Sequence, residues 1–143
     1  MKPARVVVDS SVIVKWLSAE DEPHVEQADG LLRDCQAQRV ELYAPELSKY
    51  EVGNALLKGK ELGLREVRDA LATTYSLPIH FLPESRELAE RTYALAHRHR
   101  LTYYDAAFPA LASALRATLV TDNVKHQGKV KGVRILSLAA YGS

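Results

Sequence analysis

The run Arg5-Val6-Val7-Val8-Asp9-Ser10-Ser11-Val12-Ile13-Val14-Lys15-Trp16 decides the fold. Three consecutive β-branched valines suit a strand buried on both faces, as in parallel sheets, and the run stops at an acid. Ser10 and Ser11 are residues that cap helices, and the apolar segment Val12 to Leu17 behind them has helical character. A buried strand that ends in a carboxylate and turns at once into a helix is the first half of a βα unit, with the acid at the strand's carboxyl end.

The same alternation continues along the chain. A helix is expected over Glu22 to Gln38 and a strand over Val40 to Ala44. Pro45 then reads as a first-turn proline opening a helix that runs to about Glu61 and stops at Gly63. Leu64 to Thr74 reads as a helix, and Ile79 to Leu82 as a strand between Pro78 and Pro83. Helices are expected at Glu84 to His99 and at Tyr104 to Arg116, the second opened near Thr102 with Pro109 close to its start. Thr118 to Thr121 and Val133 to Leu136 complete the strands. Strands alternating with helices predict one α/β domain over residues 1–143, with a mainly parallel sheet covered on both faces.

Composition narrows the function classes. Of 143 residues, 47% are hydrophobic and 26% charged, as in a globular protein. Cys35 is the sole cysteine, so no internal disulfide can form, and a cytoplasmic location is expected. Asp9 and Lys15 interrupt the apolar run near the N-terminus, and no segment is apolar enough to span a bilayer, so neither an export signal nor a membrane partner is expected. Net charge is +1, but from Arg91 onward eight basic residues face only Asp105 and Asp122. That asymmetry suits contact with a polyanion. There is no glycine-rich phosphate loop, no G-x-S-x-G elbow and no acidic pair of the receiver or haloacid dehalogenase type, since Ser10 and Ser11 follow Asp9.

In open α/β sheets the functional crevice lies beyond the carboxyl ends of the strands. Asp9 and Asp122 both follow strands, and Asp105 sits at a helix start. Glu51 shares the helical stripe Leu47, Glu51, Asn54, Lys58 with apolar residues on either side, so it is expected to be partly buried. Carboxylates gathered in one crevice repel each other and lose hydration unless a cation joins them. With no Cys and His cluster for zinc, and with His97 and His99 pointing different ways on one helix, a hard oxygen-seeking ion such as magnesium is the expected guest. Such a site can position and activate a water for in-line displacement at a phosphodiester. Cys35, the histidines and the Tyr103 and Tyr104 pair are read as packing or surface residues, and Lys15 and Trp16 as framework, with Lys15 also a candidate phosphate contact.

The opening segment resembles that of PIN-domain nucleases, in particular VapC-type toxins of toxin–antitoxin pairs. Three further segments match in order: Ala44-Pro45-Glu46-Leu47 with Glu51 and Asn54-Ala55-Leu56; Leu101-Thr102-Tyr103-Tyr104-Asp105-Ala106-Ala107-Phe108; and Leu119-Val120-Thr121-Asp122. The resemblance implies an α/β/α sandwich, cleavage of RNA with magnesium or manganese, a homodimer, and inhibition by a cognate VapB-type antitoxin. Carried over by position, Asp9, Glu51, Asp105 and Asp122 become the catalytic and metal-binding carboxylates, with Ser10, Asn54 and Thr121 in support. Asn123 stands where many relatives have an acid, so the fourth position falls to Asp122 or Asn123. An RNA-processing nuclease without an antitoxin, and a weakened module that binds RNA or a partner, are the alternatives.

Overall fold

A computed structural model describes residues 2–124 and 130–143. The elements are β1 (Ala4–Val8), α1 (Ser10–Leu17), α2 (Val25–Gln36), β2 (Val40–Pro45), α3 (Leu47–Asn54), α4 (Leu64–Ser76), β3 (Ile79–Leu82), α5 (Arg86–His99), α6 (Tyr103–Leu115), β4 (Thr118–Thr121) and β5 (Ile135–Ser137). A π-helical turn, Ala55–Gly59, continues from α3, and a short 3₁₀ turn, Leu138–Ala140, follows β5.

The five strands form one parallel sheet in the order β3-β2-β1-β4-β5. Helices cover both faces, giving the expected three-layer α/β/α architecture. Alternation along the strands divides the core. Val6 and Val8 of β1, with Leu42, Ala44 and Val120, pack against Val12, Ala28 and Leu31 on one face. Val7 and Leu119 point the other way, onto Phe108, Leu111 and Ala112 of α6. β1 is central, with β2 on one side and β4 on the other, so the strand order reverses between β1 and β4. The crevice rule places ligands above that junction, and Asp9 and Thr121 both stand there.

Several local expectations are corrected. Asp9 itself caps α1, its carboxylate accepting the Ser10 N–H, so Ser10 and Ser11 are the first residues of the helix. α2 starts at Val25 because Asp21 and His24 take left-handed backbone conformations that break the helix before it. Pro45 is the last residue of β2, paired with Leu82 on β3, and the helix begins beyond it at Leu47. A proline fits there because a strand's last residue need not donate to the ladder. Regular α-helix ends at Asn54, and the chain relaxes into the π turn, in which Lys60 N–H reaches the carbonyl of Ala55. Gly63 belongs to the start of α4, its N–H donating to Glu66. Ser85 and Thr102 cap α5 and α6. Pro109 lies within α6 and has no N–H to give to the carbonyl of Asp105, four residues earlier. Trp16 is framework as expected, its indole N–H donating to the carbonyl of Ala28. Among the described residues no helix is long and apolar enough to cross a membrane.

Candidate active site

At the β1/β4 junction Asp9 is 8% exposed, and three donors hold its carboxylate. Oδ1 accepts the Ser10 N–H at 2.7 Å, and Oδ2 accepts the hydroxyls of Thr121 at 2.7 Å and Ser11 at 3.2 Å. Ser10 also works outward, its hydroxyl donating to Glu51 Oε1 at 2.7 Å. One serine thus ties the carboxylate at the end of β1 to the carboxylate of α3. Thr121 has a second contact too, since its oxygen accepts the Asn123 N–H at 2.9 Å.

These groups open on a cavity of about 470 Å³ lined by Asp9, Ser10, Glu51, Asn54, Asp105 and Asn123, with Tyr50 and Tyr104 among its apolar walls. Three acids from three separate stretches of chain therefore share one space. Their electrostatics agree with the geometry. Burial pushes the Asp9 carboxyl above its ordinary value despite the three donors, and the charge of Asp105 pushes the same way. Burial also raises Glu51, against the Ser10 hydrogen bond, and the charges of Asp9 and Asp105 add to the rise. Among the described residues no ion pair relieves Asp9 or Glu51.

The donor set fits a hard divalent ion in one particular way. Among the described residues no three His, Cys, Asp or Glu side chains are drawn closely enough together to be direct ligands of one ion. An ion here would take one or two carboxylates directly and reach the others through water, which is how magnesium binds.

Asp122 does not join the cluster. Its two oxygens meet Lys15 Nζ at 3.0 Å and His24 Nδ1 at 3.0 Å, and Asn123, the next residue, is the one that lines the cavity. The expectation of a fourth carboxylate is corrected accordingly: Asp122 faces a basic partner, and the fourth polar position holds a neutral amide. Lys15 as a phosphate contact is corrected too. It is 3% exposed, and its ammonium is taken by Asp122 and, at 2.8 Å, by Glu22. Burial pushes the Glu22 carboxyl up, but the hydrogen bonds and charges of Lys15 and Lys60 outweigh it and hold the group below its ordinary value.

Sequence reasoning undervalued the aromatics. Tyr104 is 61% exposed at the cavity rather than packed in the core, and Tyr50 is 80% exposed. Their signal was adjacency, since Tyr50 precedes Glu51 and Tyr104 precedes Asp105. Tyr103 is half-buried and donates its hydroxyl to Glu84. Of the basic tract, Lys125 to Lys129, with His126, lies outside the described residues; Arg91, Arg98, Arg100, Arg116, Lys131 and Arg134 are exposed.

Comparison with known proteins gives the family. The PIN domain family model covers residues 6–131. The chain is 34% identical over 118 residues to ribonuclease VapC1 of Mycobacterium tuberculosis, spanning 80% of this chain and 83% of that one. It is 32% identical over 121 residues to ribonuclease VapC3 of Pyrobaculum aerophilum, spanning 82% and 88%. Among solved structures, VapBC2 of Rickettsia felis bound to a promoter DNA fragment superposes with a TM-score of 0.70 at 13% identity, covering 93% of this chain and 98% of that one. The sarcin-ricin loop cleaving toxin VapC20 of M. tuberculosis gives 0.65 at 16%, covering 90% and 98%. By sequence and by fold, this chain belongs to the PIN-domain family.

Proposed function

We propose that the chain is a divalent-metal-dependent endoribonuclease of the VapC type, acting as the toxin of a toxin–antitoxin pair. The observation that carries the reading is the shared cavity of Asp9, Glu51 and Asp105, in which a buried and a half-buried carboxylate, Asp9 and Glu51, stand without a cation from the described residues. The names of the relatives supply the substrate class, since both VapC1 and VapC3 are ribonucleases.

The proposed reaction is hydrolysis of a phosphodiester: water adds to phosphorus, one P–O bond breaks, and the departing oxygen takes a proton. Bound magnesium or manganese would supply positive charge against the phosphate oxygens and the carboxylates. The residues of the chain do the holding. Thr121, Ser11 and the Ser10 N–H fix the Asp9 carboxylate in one orientation, and the Ser10 hydroxyl fixes Glu51 Oε1. Such outer contacts typically control metal affinity as strongly as tenfold to hundredfold. Glu51, with its raised carboxyl, is suited to take up the proton that the attacking water gives up. Asn54 and Asn123 offer neutral oxygens to a coordinated water, and Tyr50 and Tyr104 are placed for bases to stack on them. The exposed arginines of α5 and the C-terminal part would hold the RNA backbone.

The remaining elements of the proposal follow the family: one domain over residues 1–143, a homodimer, a VapB-type antitoxin partner and a cytoplasmic location. The similar solved structures of VapBC2 of Rickettsia felis on promoter DNA and of DNA-bound VapBC of Salmonella typhimurium support the antitoxin partner. Asn123 in the cavity favours a second reading, a weakened module that binds RNA without cutting. The two separate on one experiment with purified protein and structured RNA. The nuclease cuts with magnesium or manganese, stops with EDTA and stops in Asp9→Asn; absence of cutting by the unmodified protein with either metal overturns the nuclease reading.

A further inference from the structure

Thr121, Asp122 and Asn123 leave the sheet together, and α1 with its cap grips them at three places. Asp9 holds the Thr121 hydroxyl, Ser11 Oγ accepts the Asp122 N–H at 3.3 Å, and Lys15 Nζ meets the Asp122 carboxylate at 3.0 Å. Buried as it is, the Lys15 ammonium is positioned by its partners and not by solvent. The second partner is Glu22, from the loop between α1 and α2. The other oxygen of Glu22 takes Lys60 at 2.6 Å, and Lys60 also donates to the carbonyl of Glu20 at 2.7 Å. Lys60 directly follows the π turn that continues the helix of Glu51 and Asn54.

The charges therefore run Asp122, Lys15, Glu22, Lys60, alternating in sign, from the end of β4 to the residue after the π turn. None of the four side chains lines the cavity itself. An apolar residue at position 15 would fill the interior of α1 without the desolvation cost of an ammonium, so stability alone is a poor reason for this arrangement. Buried ion networks are better suited to fixing one arrangement of the elements they join.

We propose that Lys15 is a positioning residue: with Glu22 and Lys60 it braces the end of β4 against the π turn, and so sets how Asp9 and Asn123 stand relative to Glu51 and Asn54. The consequence for metal affinity rests on the nuclease reading; the brace itself does not.

The test uses the full chain carrying Lys15→Met and, as a milder variant that keeps the side chain's shape but removes its charge and one of its two acceptor oxygens, Glu22→Gln. Amide hydrogen exchange in EDTA reads the brace without metal. Protection of the Asp122 and Asn123 amides is expected to fall at least tenfold in Lys15→Met and at least threefold in Glu22→Gln, with the amides of β1 unchanged. Calorimetric titration with manganese then reads the site, and the folded variants are expected to bind at least fivefold more weakly than the unmodified protein. Unchanged protection at Asp122 and Asn123 in Glu22→Gln overturns the brace even if Lys15→Met fails to fold. Lost protection with manganese affinity kept within twofold overturns the link to the site. If the unmodified protein binds no manganese while protection falls as expected, the brace stands and the nuclease reading falls.

Discussion

Two groups of charged side chains lie side by side at one edge of the sheet and are treated oppositely by the fold. Around the cavity, Asp9, Glu51 and Asp105 bring like charges to one space, and burial raises the first two above their ordinary values. Beside it, Lys15, Glu22, Lys60 and Asp122 answer each other within 3.0 Å, and Glu22 is held below its ordinary value. Burial acts on both groups. Charges balanced by the protein serve the structure, whereas carboxylates left to crowd one another store a cost that a proton or a bound cation would relieve.

The sharpest way to break this contrast is to neutralise the cavity. Asp105→Asn should reduce RNA cleavage by more than about a hundredfold, beyond the range seen for outer contacts at metal sites, as read from single-turnover rates. Next comes Thr121→Val, which keeps the shape but removes the hydroxyl on Asp9. A loss of about tenfold to a hundredfold in manganese affinity is expected by calorimetry, and a change below twofold would make Thr121 mere strand packing. Third, magnesium at about a hundred times its dissociation constant should stabilise the unmodified protein by about 2.7 kcal/mol, measured as a shift in Tm, and leave Asp9→Asn nearly unmoved.

The smallest effect carries a sign that tests the stored cost directly. Below the unfolded carboxyl value, about 4, Glu51 is protonated in both states and costs nothing. As pH rises through its raised folded value, the folded state must carry a charge it disfavours, so stability falls and the penalty is complete above that value. Glu51→Gln should therefore raise the Tm in EDTA at pH 7.5, by about 2–4 °C for each kcal/mol of penalty removed. The gain should vanish near pH 4; a lower Tm at pH 7.5 would mean that Glu51 is compensated after all.

How much of this the sequence revealed depended on the reach of each interaction. Val6 to Val8 and Asp9 were legible because burial on both faces and a strand end are local facts. Glu51 was legible from its helical stripe, and its half-buried state matches that reading. The partition between Asp122 and Asn123 was not, because it turns on whether a lysine more than a hundred positions away points at one of them. Lys15 offered a clue, a cation inside the apolar run Val12 to Leu17, but its partners Glu22 and Asp122 arrive from a loop and a distant strand end. Pro45 misled because a proline suits both the end of a strand and the first turn of a helix, and only its pairing with Leu82 decides. The π turn after Asn54 likewise has no composition that separates it from ordinary helix.

The central place of β1 has a consequence for synthesis. The hydrogen bond from Thr121 to Asp9 closes over 112 positions, and Val8 meets Val120 across the sheet at the same separation. β1 leaves the ribosome well before β4 and must wait for it before its second edge is filled, and such distant pairings form slowly. A polypeptide interrupted before residue 118 would carry Asp9, Glu51 and Asp105 yet lack the threonine that orients the first of them, so the carboxylates of the cavity are held in place only once nearly the whole sheet has been made.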